Sequence, residues 1–295
     1  MIRVFARKTK WTPTDELAFY TGPPLFVREW DRHSLVLVSA TFTWDIENAY
    51  ALARAWSLHF DNVQVGGSAF GDPGGQFVPC RFIKQGVTFT SRGCPKRCTW
   101  CLVPQREGKI RELGIQPGYI VQDNNLLACS QGHIESVFEM LAGQRKGIEF
   151  KGGLDIDFMQ PRHVELLKQI KVAELWVACD RAEDITRLDK AADLLGDFSI
   201  EKKRCYVLVG KDGETQDQAQ ARCEAVYRKG FLPYAQLFRS ENSGPSRGQW
   251  HDFCNFWSKP GLYRKKINSV SPVPSVAEKI IVNSKCKKDL RIECG

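Results

Sequence analysis

Short apolar runs alternate with amphipathic stretches along most of this chain, and the alternation becomes regular from residue 86 onward. Six of the apolar runs have the length of buried strands, and four stretches between them place apolar residues at helical spacing. The predicted strands lie at 87–90, 118–122, 147–151, 175–178, 206–209 and 232–237. The predicted helices lie at 134–144, 161–170, 182–195 and 216–229. Such alternation is typical of an α/β fold with a parallel sheet and right-handed crossovers.

A smaller unit precedes this region. The run from Ser34 to Ser39 predicts a buried strand, and Asp45 can cap a helix that continues to about residue 59. A second strand is predicted at 63–67, where it ends in a Gly-Gly turn. This strand–helix–strand order is half of a doubly wound, Rossmann-like sheet. The expected division of the chain is 1–85 for the small α/β unit, 86–260 for the main sheet and 261–295 for a basic tail.

Composition indicates an ordinary globular protein, with 43% hydrophobic and 26% charged residues. The odd count of 11 cysteines argues against a disulfide framework and fits a reducing compartment. Residues 1–8 lack the apolar segment of a signal peptide, and no apolar run approaches the length of a membrane span. We therefore expect a cytoplasmic protein with no membrane partner.

Most of the net charge of +8 lies near the C-terminus. Residues 262–295 hold eight Lys or Arg and three acidic residues, a net charge of +5. One interpretation is a contact with RNA or another polyanion. The other is a solvated tail, which is favoured because no aromatic residue able to stack on bases lies within 264–295.

Three cysteines stand on one short stretch with the spacing C-x3-C-x2-C. They are Cys94, Cys98 and Cys101. Iron–sulfur clusters are normally held by four thiolates, so three thiolates suit a [4Fe-4S] cluster with one iron left open for a ligand. Structural zinc is the alternative, but it needs four ligands, of which only Cys98 and Cys101 form the usual knuckle. Cys80 could supply a fourth thiolate, so the zinc interpretation stays open.

This loop resembles that of the radical S-adenosylmethionine (radical SAM) enzymes. The sequence Thr-Ser-Arg-Gly-Cys-Pro at 90–95, with an aromatic residue before the third cysteine, is similar to the subgroup with cobalamin-binding or methylthiotransferase-type N-terminal domains. The resemblance covers roughly residues 84–260 and implies an open (β/α)6 partial TIM barrel. It also implies that Cys94, Cys98 and Cys101 hold a [4Fe-4S] cluster, and that Trp100 packs near the cluster or the adenine of S-adenosylmethionine.

The resemblance further implies the reaction. Reduction by one electron would cleave S-adenosylmethionine to a 5′-deoxyadenosyl radical, which would remove hydrogen from an unidentified substrate. An electron donor of the flavodoxin or ferredoxin type is the implied partner. The N-terminal unit resembles a shortened cobalamin-binding domain, but the D-x-H-x-x-G motif of that family is absent, so cobalamin is a doubtful cofactor.

Candidate ligand-binding residues follow the predicted strands, because sites in parallel α/β sheets form at the carboxyl ends of strands. They are Asp123, Asn124 and Asn125 after the second strand, Gly152, Gly153, Asp155 and Asp157 after the third, Asp180 after the fourth and Gly210 after the fifth. By resemblance, Asp123 is expected to hold the amino group of S-adenosylmethionine, and Gly210 is expected near its adenine.

The other candidates keep two interpretations each. Gly152 and Gly153 either let a ligand approach the backbone or form a tight turn. Asp155 and Asp157 would bind the methionyl amino group, the ribose or the substrate. Asp180 would accept hydrogen bonds from ribose hydroxyls or cap the following helix, and Thr215 is expected to cap the helix after the fifth strand.

The leading hypothesis from the sequence is a radical SAM enzyme of unknown substrate. One alternative is a radical SAM enzyme that modifies tRNA or nucleotides, although methylthiolation is disfavoured because Cys80 is the only cysteine before the motif. A second alternative is a non-enzymatic zinc or iron–sulfur module that binds nucleic acid.

Overall fold

The structure is a computed structural model that describes residues 1–25, 27, 30–211, 213–238 and 248–270. The polyanion contact predicted for the basic tail falls mainly on residues 271–295, which lie outside the described residues. None of the described helices combines the length and apolar character needed to cross a membrane.

The N-terminal residues form a parallel sheet with one helix. Its elements are β1 (Ile2–Phe5), β2 (Ala18–Phe19), β3 (Leu35–Ser39), α1 (Ile46–Ser57) and β4 (Asn62–Gly66). The strands lie in the order β2-β1-β3-β4, and all pairs are parallel. The predicted strand–helix–strand corresponds to β3, α1 and β4, whereas β1 and β2 were not predicted.

Helix α1 packs on this sheet because its apolar residues recur at helical spacing. Trp56 is fully buried, and its ring contacts those of Phe19, Trp30 and Phe60. The indole nitrogen donates to the carbonyl of Thr21 at 3.1 Å, so the one polar atom of the ring is satisfied inside the core.

The remaining elements include each of the six strands and four helices that the hydrophobic pattern predicts. They are β5 (Val87–Thr88), β6 (Ser91–Arg92), α2 (Val103–Arg106), β7 (Arg111–Glu112), β8 (Ile120–Val121), α3 (Gln131–Ala142), β9 (Ile148–Phe150), α4 (Pro161–Lys168), β10 (Val172–Ala178), α5 (Asp184–Leu194), β11 (Lys203–Val209), α6 (Gln216–Arg228), β12 (Leu232–Leu237), α7 (Gln249–Trp257) and α8 (Pro260–Val270). Two short strands and a short helix around the cysteines, and two helices after the last strand, were not predicted. The α/β class and the parallel sheets are confirmed. Thr215 caps α6 as predicted, since its side chain accepts from the Gln218 N–H.

The main sheet has six parallel strands in the order β5-β8-β9-β10-β11-β12, so spatial order follows chain order throughout. Its two faces differ. On one face Phe150, Val177 and Val207 are buried in a core that includes Leu141 of α3, Leu167 of α4 and Cys223 of α6. This core positions the carboxyl ends of the strands.

The opposite face of the main sheet is covered in part. Val87 of β5 and Ile120 of β8 pack against Trp11, Phe77 and Leu113. Farther along the same face, β10 to β12 carry Trp176, Tyr206 and Tyr234, whose rings contact one another. The sheet therefore presents an aromatic surface on the side away from its helices.

Candidate functional site

The cysteine loop is closed at its base by a short antiparallel ladder between β6 and β7. Gly93 follows the first strand with φ +81°, and an added Cβ there would lie 2.1 Å from the carbonyl oxygen of Lys109. Only glycine fits this close approach. The backbone N–H of Cys94 donates to the carbonyl of Gly108 at 3.1 Å, so the loop leaves the sheet as a narrow hairpin.

Glu107 holds the base of this hairpin together, although its side chain is almost completely buried. Its Oε2 accepts from the Gly93 N–H at 3.2 Å and from the side chain of Asn124. Its Oε1 lies 3.7 Å from Arg92 and 3.4 Å from Arg106. A buried charge needs such partners, and these tie both ends of the loop to the loop after β8. The sequence contained no signal for this role.

The three cysteines line one cavity of about 570 Å³ at the carboxyl ends of the strands. Eight of the other predicted site residues line it, namely Trp100, Asn124, Asn125, Gly152, Gly153, Asp155, Asp157 and Asp180. Burial raises the pKa of the Cys98 and Cys101 thiols. Among the described residues, no three His, Cys, Asp or Glu side chains converge closely enough to hold a single metal ion.

Two side chains of the loop fasten it to the sheet. The ammonium of Lys96 donates to Asp155 at 2.6 Å and lies 2.8 Å from a carboxylate oxygen of Asp157. Burial alone would lower the pKa of Lys96, but the hydrogen bonds to these two carboxylates raise it. On the other side, Trp100 Nε1 donates to Asp180 at 3.2 Å. The loop is thus anchored at two strand ends.

Asp123 does not line the cavity, in contrast to its expected role. The side chain is 1% exposed, and burial raises its pKa. One carboxylate oxygen accepts from the Thr90 N–H at 2.7 Å. The other accepts from the hydroxyls of Thr90 at 2.5 Å and Ser91 at 2.8 Å. With both oxygens engaged, Asp123 fixes the entrance of the cysteine loop to the end of β8 and leaves ligand contact to its neighbours.

Asn125, two residues after Asp123, has a side-chain acceptor atom without a hydrogen-bond partner. Its Nδ2 donates to Asp155 at 2.9 Å and lies 3.5 Å from the sulfur of Cys94. Its Oδ1 is buried and has no hydrogen-bond partner. Since buried polar atoms are nearly always paired, an orphaned acceptor on a cavity wall indicates a place for a donor from a ligand.

The backbone conformation after β9 requires glycine at positions 152 and 153, whether or not a ligand binds beside them. A Cβ at Gly152 would lie 2.0 Å from the carbonyl oxygen of Asp123, and Gly153 has φ +91°. Both positions therefore require glycine for the turn that follows β9. Because the two residues also line the cavity, the turn and the close approach to a ligand are compatible.

We expect Gly152→Ala to lower the free energy of unfolding by at least about 2 kcal/mol, because the added methyl group meets backbone that cannot move aside. Urea unfolding followed by circular dichroism measures this. The matched control is Gly132→Ala in α3, where a Cβ meets nothing within 4 Å and a helical alanine is favourable. Equal stability of Gly152→Ala and the wild type would show that the turn is not constrained.

Asp180 belongs to a chain of buried contacts across the ends of β10 and β11. Its second carboxylate oxygen accepts from the Leu208 N–H at 3.2 Å, and its carbonyl accepts from Arg222. Arg222 also donates to Glu214 at 2.6 Å, and Glu214 accepts from the Gly210 N–H at 2.9 Å. Burial raises the pKa of Asp180, against the effect of its hydrogen bonds. Arg222 and Glu214 were missed from the sequence.

Two predictions around this chain need correction. Asp180 does not cap α5, since the carboxylate of Asp184 accepts from the backbone N–H groups of Asp180 and Arg181 instead. Gly210 does not line the cavity, and a Cβ there would lie 2.9 Å from Leu237 and 3.2 Å from Trp250. Packing between β11, β12 and α7 accounts for this glycine.

No protein-family model matches the chain, and no curated protein matches it. The cavity wall combines three soft sulfur ligands, an unpaired amide oxygen and an indole ring. Arg181 lies 5.7 Å and Lys211 5.5 Å from the centre of the Trp100 ring. Thiolates of this kind select zinc or iron–sulfur clusters over hard cations.

Proposed function

We propose that this protein is a radical SAM enzyme, in which Cys94, Cys98 and Cys101 hold a [4Fe-4S] cluster. The observation that carries the proposal is that these three cysteines together line one cavity at the carboxyl ends of parallel strands. When bound, such a cluster supplies one electron for cleavage of S-adenosylmethionine to a 5′-deoxyadenosyl radical, which removes hydrogen from a substrate.

The strand order supports an open partial barrel. In a doubly wound sheet the chain reverses its direction of travel across the sheet, but here it moves one way from β5 to β12. Right-handed crossovers that all move one way place every connecting helix on the same face. That is how a TIM barrel is built, and six of the eight strands would leave it open on one side.

The residues of the cavity have separate roles in this proposal. Lys96 and Trp100 hold the cysteine loop against the sheet and so position its three cysteines. Asn125 offers its unpaired Oδ1, and Asp155 adds a carboxylate, to the amino group of S-adenosylmethionine. The indole of Trp100 offers an apolar face to the adenine. Asn125 thus takes the role first expected for Asp123.

The zinc alternative needs a fourth protein ligand, because a structural zinc ion is held by four. Cys80, the fourth ligand considered from the sequence, is exposed and does not line the cavity. The three cysteines of the loop line the cavity together, which supports a cluster that leaves one iron open for a ligand.

Anaerobic reconstitution with iron and sulfide tests the proposal. We expect about four irons and four sulfides per chain. The reduced protein should show an electron paramagnetic resonance signal that changes when S-adenosylmethionine is added, and it should form 5′-deoxyadenosine. A protein that instead retains one tightly bound zinc with four protein ligands, measured by X-ray absorption, would contradict the assignment.

A further inference from the structure

The face of the main sheet away from the helices carries an aromatic cluster next to the cavity. In the parallel ladders, Tyr206 of β11 is the partner of Ala178 on β10 and of Tyr234 on β12. Partner residues in such ladders point to the same face. Ala178 and Tyr206 both line the cysteine cavity, so this face continues directly from the proposed reaction site.

The rings form one connected group. Trp176 stacks on Tyr206 with centroids 4.2 Å apart, and it meets Tyr234 edge to face at 5.5 Å. Tyr206 and Tyr234 are perpendicular, with centroids 6.0 Å apart. Trp176 is 5% exposed, whereas both tyrosines are half-buried. The tryptophan is therefore the anchor, and the tyrosines are the surface that a ligand can reach.

Charged groups surround the rings in balanced pairs. The ammonium of Lys151 lies 4.8 Å from the centre of Trp176 and pairs with Glu174 and, at 3.4 Å, with Glu149. The guanidinium of Arg204 lies 3.6 Å from Glu174. Two cations and two carboxylates cancel, so the surface has donors and acceptors but no formal net charge.

This part of the face is not packed against a hydrophobic cluster in the part of the chain that the structure describes. The apolar group around Trp11, Phe77 and Leu113 covers the first two strands of the same face and does not include the rings of β10 to β12. Of the three rings, that of Tyr206 lines the cavity, and aromatic side chains with a few polar neighbours are typical of the walls of small-molecule sites.

The three rings and the two cations beside them form an aromatic platform, which consists of Lys151, Trp176, Arg204, Tyr206 and Tyr234. We propose that the aromatic platform binds the heteroaromatic ring of a nucleoside substrate. Its role as a substrate site depends on the proposed function, but the binding itself does not. A flat ring stacks on the tyrosines, and its polar edge meets the charged pairs. The absence of net charge favours a free nucleoside over a nucleic acid, which would need unpaired cations for its phosphates.

Calorimetric titration of the full-length protein with guanosine, adenosine, cytidine and uridine tests this. We expect saturable binding of at least one of them, and a loss of affinity of at least about fivefold in Tyr234→Ala, because a stacking ring is removed. Tyr234→Phe keeps the ring and should bind nearly as well as the wild type. The control is Tyr50→Ala, an exposed tyrosine of the N-terminal helix, which should not change affinity.

Three results would overturn the platform. They are no saturation by any of the four nucleosides in the millimolar range, equal affinity in Tyr234→Ala, and much tighter, strongly salt-dependent binding of a single-stranded oligonucleotide. A failure of the proposed function is recognised by other measurements, because iron content and 5′-deoxyadenosine formation are determined without any nucleoside. If the protein binds a nucleoside through Tyr234 but holds no cluster, the proposal for the aromatic platform stands and the proposed radical SAM function fails.

Discussion

Replacing Cys98 with alanine is expected to give a folded protein that holds almost no iron and forms no 5′-deoxyadenosine above background. Two thiolates cannot hold a cluster that normally needs at least three protein ligands. Cys98 is only partly buried, so loss of its thiol should change stability little. Iron and sulfide analysis after anaerobic reconstitution, with the product assay on the same sample, measures both effects.

Cys80→Ala is the matched control, because it makes the same chemical change at an exposed cysteine outside the cavity. It should keep the full iron content and the full cleavage activity. If Cys98→Ala cleaved S-adenosylmethionine normally, Cys98 would not be a ligand. If Cys80→Ala lost the metal as completely as Cys98→Ala, a site with four cysteine ligands would replace the proposed one.

The main sheet could be predicted because its strands are strongly apolar and its helices have clear periodicity. The limits of the strands were less accurate. Strand β11 begins at Lys203 and not at the predicted residue 206, since the polar side chains of Lys203 and Arg204 hide its start. In β5 and β8, ladder pairing covers two residues each, which the longer apolar runs did not indicate.

Those residues of the candidate site that belong to a local sequence pattern could be predicted. The cysteine spacing gave the three thiols, and the rule that ligands gather at strand ends gave Asn125, Asp155 and Asp180, which line the cavity. The same rule could not separate Asp123 from Asn125. The side chain of a residue that follows a strand can point into the core or into the cavity. For Asp123 the hydrogen bonds from Thr90 and Ser91 hold it in the core.

Glu107, Lys96 and Arg222 escaped sequence reasoning for a related reason. Each acts through partners distant in the chain, such as Asn124 for Glu107, Asp155 for Lys96 and Asp180 for Arg222. A single charged residue in a loop or on a helix is usually solvated, so its sequence context does not indicate that it is paired with a distant residue. Only the fold shows that Glu107 and Arg222 are buried and that all three charges are paired.

Asp123→Ala should lower the free energy of unfolding by at least about 3 kcal/mol. The substitution leaves three donors, the Thr90 N–H and the hydroxyls of Thr90 and Ser91, buried beside β8 without an acceptor. Each such group costs about 1–3 kcal/mol when unpaired. Urea unfolding of the metal-free protein measures the change separately from any loss of cluster.

The control is Asp157→Ala, which also removes a carboxylate beside the cysteine loop. The side chain of Asp157 is 48% exposed where it pairs with Lys96, so its loss should cost no more than about 1 kcal/mol. The comparison decides between the two roles considered for Asp123. If Asp123→Ala unfolds like the wild type but binds S-adenosylmethionine poorly, Asp123 contacts the ligand, as expected from the sequence. Strong destabilisation by Asp123→Ala alone would establish that this carboxylate holds the cysteine loop onto the sheet.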